Sequence, residues 1–273
     1  MKSNHQKYTN TPDGLGLFLQ KIWRSRALVL LLAKRDLKVK YAQTILGVGW
    51  SIIQPLTGML VFSLFFGYVL NWQVKDLPFP LYVLSGLLSW NFFSYVVNAG
   101  AGSLQESSAI IKKIHFPKSI LPLSKVLVAL VELGISFFIL LLLIVYYQYA
   151  ISWKIVFVPL ALLFNTVCGL ALVFWVAAFA YRKRDLFHLL PFVVYFGIWF
   201  TPVFFGTDLL PQNLRPLLLL NPMASVVELW RWMIFGTSAF NYYWIVSFVI
   251  TLLFCLTGMY FYSRKEKDFS DYL

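Results

Sequence analysis

Long apolar runs separated by short polar and basic segments dominate the pattern of this chain. A helix needs about 20 mostly apolar residues to cross a bilayer, and six stretches meet that condition. No internal repeat or linker divides them. The pattern therefore predicts one all-α integral membrane domain over residues 1–273, with tails at 1–44 and 263–273 around a bundle at 45–262. The predicted spans are 45–70, 80–103, 120–147, 155–180, 186–206 and 242–262.

The stretch 196–236 is apolar but repeatedly broken by Pro202, Gly206, Pro211, Pro216 and Pro222. Prolines interrupt helices, and non-helical backbone at membrane depth persists only inside protein or beside a water-filled cavity. We expect the fifth span to end near Gly206, with two short re-entrant helices before the last span. This arrangement indicates a gate over a transport pathway.

A narrow polar stripe follows within 222–235, where Ser225, Glu228 and Arg231 recur at helical spacing. Glu228 and Arg231 can pair at i, i+3, which suits a half-buried gate helix. An interfacial helix without a gating role explains the same pattern. The predicted gate residues are Pro211, Pro216, Pro222, Glu228 and Arg231.

Two segments outside the predicted spans invite contact with a partner. The stretch 15–41 mixes apolar residues at near-helical spacing with Lys and Arg, and predicts a basic amphipathic helix in the membrane interface. It is either a plain anchor or also a docking surface. In the loop 104–119, Ser107 or Ser108 can cap a short helix over 109–114. That helix would receive force from a motor, although a plain basic loop fits equally well.

Composition indicates that the chain lies in a membrane, and the distribution of basic residues indicates its orientation there. Hydrophobic residues make up 60% of it and charged residues 12%, unlike soluble domains. Only four of the 23 Lys and Arg residues, namely Lys75, Lys154, Arg215 and Arg231, fall on one side of the six-span topology. Because cytoplasmic loops carry the excess of basic residues, both termini are predicted to be cytoplasmic and the broken stretch external. The same asymmetry explains the net charge of +12 better than nucleic-acid binding does.

Glu132 is the acidic residue near the middle of a predicted span. A charge there costs roughly 2.5–3.5 kcal/mol, so it needs a partner or water. Lys125 lies seven residues earlier on nearly the same helix face. We interpret Glu132 as structural, either ion-paired or protonated and hydrogen-bonded, because a proton relay needs further intramembrane acids or histidines.

Aromatic residues make up 19% of the chain, more than two interfacial belts require. Individually, most such rings are core or lipid-facing. Together they would suit a pore for sugars, because rings stack on apolar sugar faces while the hydroxyls stay hydrated. The candidate channel-lining residues are Trp50, Phe62, Phe66, Trp90, Phe93, Tyr195, Trp199 and Phe200.

Motifs of enzymes are missing from the sequence. It contains no G-x-x-x-x-G-K-[ST] loop for ATP, and no H-E-x-x-H, nucleophile elbow or paired loop acids. Cys168 and Cys255 lie in apolar spans, without disulfide or zinc spacing. We predict a transporter subunit rather than an enzyme, with no catalytic, cofactor-binding or metal-binding residue.

Three segments resemble type-2 ABC exporter permeases that move polysaccharides. KRDLKVKYAQTILGVGWSIIQPL at 34–56 resembles the start of their first span, and IIKKIHFPKSILPLSKVLVALVE at 110–132 resembles their coupling loop and third span. LNPMASVVELWRWMIFG at 220–236 resembles the helix before their last span. The order and spacing agree across nearly the whole chain. Wzm-like permeases of O-antigen export are most similar, and capsule and teichoic-acid permeases share the motifs.

The resemblance implies a homodimer of six-span subunits, paired with two cytoplasmic ATPases that bind ATP and Mg²⁺. It implies export of a lipid-linked polysaccharide to the outer face of the bacterial plasma (inner) membrane. A membrane enzyme acting on lipid-linked sugars and an ion-driven carrier are the alternatives. The residues implied to couple to the ATPase are Arg35, Ser107, Ser108, Ile110, Ile111, Lys112, Lys113 and His115.

Overall fold

The computed structural model describes residues 15–72, 74, 77–114, 116–180, 185–207, 211, 218, 221–237, 241–266 and 269. Helices and connecting turns account for these residues, and they contain no strand. The helices are α1 Leu15–Arg24, α2 Arg26–Tyr41, α3 Trp50–Phe62, α4 Phe79–Glu106, α5 Ser108–Ile111, α6 Ile120–Tyr146, α7 Val158–Ala180, α8 Asp185–Gly197, α9 Pro222–Phe235 and α10 Tyr243–Lys265.

Five helical segments of the described chain are long and apolar enough to cross a membrane, which confirms an all-α integral membrane protein. Short 3-10 or π-helical turns extend two of the α-helices named above. The five segments are Gly47–Val69, Phe79–Glu106, Ile120–Tyr146, Trp153–Ala180 and Tyr243–Lys265.

The predicted fifth span, 186–206, is shorter than expected and runs only over Asp185–Phe200. It ends there because Thr201 precedes Pro202, and a residue before proline is disfavoured in the helical region. Thr201 is accordingly extended, with ψ of 135°. The chain then continues as a non-helical loop at 201–207.

Helix α4 is the centre of the bundle and contacts α3, α6, α7 and α9. It is buried on almost every side from Leu81 to Trp90. Small residues allow the close approach of neighbours without large side chains between them. At Gly169 of α7, an added Cβ would lie 2.7 Å from the Val96 side chain of α4. The Val96 side chain therefore packs directly against the backbone of α7.

The predicted single helix over 15–41 is two helices, divided at Ser25. The second, α2, packs along α6 and buries Val29, Leu32 and Ala33. The amphipathic segment therefore packs as part of the helical bundle. Its position relative to the membrane interface stays a prediction.

Helix α9 is the second of the two predicted short helices, and residues of the first lie largely outside the described part of the chain. Asn221 caps α9 by accepting a hydrogen bond from the Met223 N–H at 3.0 Å. Pro222 occupies the first turn, where its missing N–H costs nothing. Gly236 ends the helix in the left-handed conformation, with φ of 71°.

Candidate functional site

A cavity of about 760 Å³ opens between α3, α4, α6 and α8. Its volume falls within the usual range for ligand-binding clefts, about 300–1,000 Å³. The wall combines aromatic rings with amides and hydroxyls, so it offers both stacking surfaces and hydrogen bonds. The rings belong to Phe62, Trp90, Phe92, Tyr95, Tyr195 and Trp199, and the uncharged polar groups to Ser51, Gln54, Asn91, Ser94, Asn98 and Ser136.

Only part of the predicted aromatic set reaches this cavity, namely Phe62, Trp90, Tyr195 and Trp199. Phe93 instead lines a second cavity of about 320 Å³ between α4, α7, α9 and α10. The remaining predicted rings, Trp50, Phe66 and Phe200, line neither cavity.

The cavity wall includes an ion pair between Glu132 of α6 and Lys40 of α2. The Tyr41 hydroxyl donates to the same carboxylate at 3.1 Å, and it shares a hydrogen bond of 2.5 Å with Ser51. The Lys40 Nζ also lies 4.3 Å from the centroid of the Tyr95 ring. These five residues, the Lys40–Glu132 cluster, join α2, α3, α4 and α6.

The partner of Glu132 differs from the one that spacing indicated. An ion pair was one of two predicted states, but its cation is Lys40 rather than Lys125, because α2 packs against α6. Burial raises the pKa of the neighbouring Tyr41 phenol, and the Glu132 carboxylate raises that pKa further. The phenol therefore stays protonated at neutral pH and donates to Glu132.

The non-helical loop at 201–207 contains buried backbone carbonyl groups that cannot form the hydrogen bonds of a helix. Buried carbonyl groups need donors, and Arg231 of α9 supplies them from its guanidinium group. Its Nη1 donates to the Pro202 carbonyl at 2.6 Å, and its Nη2 donates to the Val203 carbonyl at 2.6 Å and to the Tyr82 carbonyl at 3.2 Å. One side chain thus joins the loop, α4 and α9.

Two further side chains hydrogen-bond the 201–207 loop. Together with Arg231 they form what we call the cap of this loop. The Tyr82 hydroxyl donates to the Phe205 carbonyl at 2.7 Å. The Asn221 Nδ2 donates to the Phe200 carbonyl at 3.0 Å and to the Thr201 hydroxyl at 3.2 Å. The break after α8 is therefore a specific, hydrogen-bonded structure.

The predicted gate residues have different surroundings. Arg231 pairs with Glu228 at 2.9 Å, as the i, i+3 spacing predicted. Arg231 is only 1% exposed, so its charge is buried within the protein. Pro222 starts α9, Pro211 is exposed, and Pro216 lies outside the described residues.

A second ionic network lies where α4 ends. The Lys125 Nζ is 2.6 Å from a Glu106 oxygen and 3.0 Å from an Asp36 oxygen. Arg35 donates to the other Asp36 oxygen at 2.7 and 3.0 Å. Because Lys125 is nearly buried, this network ties α2, α4 and α6 together beside α5.

The predicted helix over 109–114 is a single turn, Ser108–Ile111, whose cap residue Ser107 makes no side-chain hydrogen bond to the helix. The connection beyond it is tied to the end of α10, since Lys118 hydrogen-bonds Glu266 through both its backbone and its side chain. Of the predicted coupling residues, Ser107 and Ile111 are buried, Arg35, Ser108 and Ile110 half-buried, Lys112 and Lys113 exposed, and His115 outside the described residues.

Sequence reasoning did not single out several residues that build these sites. Lys40 and Asp36 lie in the basic segment 15–41, where spacing alone does not indicate that they form cross-helix ion pairs. The amides Gln54, Asn91 and Asn98 carried a usable signal, because polar amides inside apolar spans usually face protein or a cavity. Within the described residues, no cluster of three His, Cys, Asp or Glu side chains could hold a metal ion.

The chain belongs to the ABC-2 type transporter family, whose family model matches residues 27–235. That match spans α2 to α9, and so includes the Lys40–Glu132 cluster, the cavity and the cap of the 201–207 loop. Members of this class are transport subunits rather than enzymes. The protein is accordingly a multi-pass membrane transporter permease.

Three relatives with assigned names align with most of this chain. The chain is 31% identical over 211 residues to the O-antigen export system permease protein RfbA of Myxococcus xanthus, covering 77% of this chain and 80% of that protein. It is 25% identical over 255 residues to the protein of the same name from Klebsiella pneumoniae, covering 90% and 95%. It is 23% identical over 250 residues to the polysialic acid transport protein KpsM of Escherichia coli, covering 85% and 91%.

Proposed function

We propose that this chain is the transmembrane subunit of an ATP-driven exporter that moves a lipid-linked polysaccharide of the O-antigen kind. It would move this cargo from the cytoplasmic to the outer face of the bacterial inner membrane. The observation that carries the proposal is the alignment with O-antigen export permeases over most of the chain. An aromatic and amide-rich cavity within the matched region supports it.

The chemistry of the cavity suits sugars. A sugar ring has an apolar face that packs on an aromatic ring, and its hydroxyls need hydrogen-bonding partners. Trp199 and Tyr195 supply rings, while Gln54 and Asn91 expose amides in the same cavity. Contacts of this kind are individually weak, which allows a polymer to slide.

Six membrane crossings and a homodimer complete the proposed architecture. In this proposal α8 and its 3-10 turn form a short fifth crossing, which keeps both basic termini in the cytoplasm. Helix α3 with the π-helical turn after it, and helix α8 with its 3-10 turn, border the open cavity and carry exposed apolar residues such as Leu64, Phe65, Phe192 and Trp199. A second copy packed on these faces would enclose the pathway between the protomers.

Energy would come from two copies of a separate cytoplasmic ATPase, which bind ATP and Mg²⁺. The chain itself has no P-loop. We place the ATPase contacts on α1, α2 and the 104–116 loop, where the Lys125 network joins α2, α4 and α6. Closure of the ATPases would then shift these helices together and open the pathway.

We propose that the 201–207 loop and α9 form the external gate. The buried Arg231 and Glu228 support this, because they connect the loop to the bundle through bonds that can break and reform. If Glu228→Ala and Arg231→Ala both left export per folded molecule unchanged, the polar stripe would have no gating role.

Export of capsule polysaccharide is the second candidate, favoured by the similarity to KpsM, whose name is that of a polysialic acid transport protein. Teichoic-acid export is a further alternative that rests on the sequence motifs alone. A membrane enzyme acting on lipid-linked sugars has no comparable support from the described residues.

Deletion of the gene tests the proposed function. We expect a lipid-linked glycan to accumulate in the cytoplasmic leaflet, and its structure distinguishes O-antigen from capsule or teichoic acid. Complementation with the wild-type chain should restore surface glycan. The purified chain should co-purify with an ATPase and hydrolyse no ATP by itself. Normal surface glycan in the deletion strain would overturn the proposal.

A further inference from the structure

The charges in the cavity wall balance. Among the residues that the structure places around the cavity, Lys40 and Glu132 are the charged ones, and they pair with each other. The other polar lining groups are hydroxyls and amides, including the exposed amides of Gln54 and Asn91. In a symmetric dimer the second copy would contribute the same pair, and these residues would again add no net charge.

An anionic cargo would find little compensation in such a cavity. An anion that leaves water for an aromatic and aliphatic wall needs a cation or several donors to offset its lost hydration. The ammonium group of Lys40 is already engaged by Glu132 and lies on the Tyr95 ring. The Glu132 carboxylate balances the charge of Lys40, so the pair offers an approaching carboxylate or phosphate no net attraction.

A neutral sugar meets no such penalty. Its hydroxyls both donate and accept, and side-chain amides and hydroxyls do the same. Trp199 and Tyr195 provide ring surfaces whose stacking does not depend on charge. The wall therefore discriminates by charge, while it tolerates variation in sugar identity.

We propose that the cargo of this permease is an uncharged polysaccharide, without carboxylate or phosphate in its repeating unit, and that polyanionic glycans are excluded. This inference rests on the proposed function and specifies its substrate class. We therefore expect the similarity to a polysialic acid transport protein, at 23% identity, not to extend to acidic cargo.

The glycan that accumulates in the deletion strain provides the first test. After mild acid release from its lipid, the glycan should pass through an anion-exchange column at low salt. A retained, polyanionic polymer would overturn the charge inference but leave polysaccharide export intact. Failure of any lipid-linked glycan to accumulate would instead count against the proposed function, so the two failures are distinguishable.

The second test adds a positive charge to the cavity wall and measures the binding of an anionic probe. It uses the permease–ATPase complex in nanodiscs. The probe is an oligosialic acid hexamer, followed by quenching of tryptophan fluorescence, since Trp90 and Trp199 line the cavity. Asn91→Lys adds a cation without a partner, and Asn91→Gln is the matched neutral control. We expect Asn91→Lys to bind the hexamer at least about tenfold tighter than either wild type or Asn91→Gln, and high salt to weaken the gain. Binding of the hexamer by wild type as tight as that by Asn91→Lys would refute the inference.

Discussion

The Arg231 guanidinium lies 2.6 Å from the carbonyl oxygen of Pro202, and this contact fastens α9 to the break that ends α8. Buried backbone carbonyl groups need hydrogen-bond donors from within the protein. The proline that ends the helix therefore creates a need that a residue 29 positions later meets. The same guanidinium stacks on the Tyr82 ring, with Cζ 3.4 Å from its centroid.

Replacing Arg231 with Met should destabilise the protein. The change leaves the Pro202 and Val203 carbonyls and the Glu228 carboxylate without their main donor, and the expected loss is about 3 kcal/mol. Arg231→Lys keeps the charge but lacks the planar fork, so its effect should be intermediate. Unfolding by SDS titration in mixed micelles measures the loss. Wild-type stability of Arg231→Met would show that water or other groups satisfy the loop.

Two glycine substitutions form a matched pair. A Cβ at Gly86 would lie 2.7 Å from the Val203 oxygen and 2.8 Å from the Arg231 Nη2, whereas Gly134 has no atom within 4 Å of its Cβ position. Gly86→Ala should lower the free energy of unfolding by about 1–3 kcal/mol through overpacking. Gly134→Ala should be neutral or stabilise by up to about 1 kcal/mol. Equal transition temperatures for the two variants in detergent would contradict the close packing of α4 on the loop.

Lys125→Met should weaken the connection between α2, α4 and α6. The Lys125 and Asp36 side chains are 8% and 10% exposed, and removal of one partner of a buried pair costs about 3–5 kcal/mol. Glu106 is 56% exposed and adds little. We expect less co-purified ATPase per permease, measured on the solubilised complex. Arg264→Met, at an exposed arginine of α10 that lies outside the proposed ATPase contacts, is the control for general loss of charge. Equal ATPase recovery from both variants would argue against a role of the network in docking.

Tyr195→Ala and Trp199→Ala should slow export, because both rings line the cavity. Loss of one stacking ring, worth about 1 kcal/mol, reduces the rate by roughly fivefold if the contact is made during passage. Phe200→Ala is the matched control, since Phe200 is 71% exposed and lies outside the cavity. Surface glycan per folded permease, measured by quantitative lectin binding, gives the comparison. A larger loss in Phe200→Ala than in Trp199→Ala would place the pathway elsewhere.

Glu132→Gln tests whether this acid is structural. The pair with Lys40 is partly exposed, with side chains 32% and 23% accessible, so its loss should cost only about 1 kcal/mol. We expect a lower transition temperature and a lower membrane level, both read from the fluorescence of a tagged protein in detergent. Lys40→Arg, which keeps the charge, should lose less. Export abolished at normal protein level and normal assembly would contradict the structural role.

Local pattern was sufficient for most of the spans. The third predicted span, 120–147, matches α6 at Ile120–Tyr146, because hydropathy and helix length depend on neighbouring residues. The Glu228–Arg231 pair was also predictable, since i, i+3 geometry is set within one helix.

The pattern of apolar and polar residues could not predict contacts between distant segments. Lys40 and Glu132 are separated by 92 positions, and their meeting depends on how α2 packs on α6. The assignment of Lys125 to Glu132 failed for the same reason. Which aromatic rings reach the cavity was equally undetermined, because it depends on the rotation of α4 and α8 about their axes.

Helix α2 meets α6 at two ion pairs, Asp36–Lys125 and Lys40–Glu132. The attachment points are about 6 Å apart along α2 and about 10 Å apart along α6, at 1.5 Å per residue. A rod pinned at one point can swivel, but a rod pinned at two points along its length turns only with its support. The two pairs therefore restrict rotation of α2 relative to α6, and we expect a displacement of α2 to be transmitted to α6 beside Glu132.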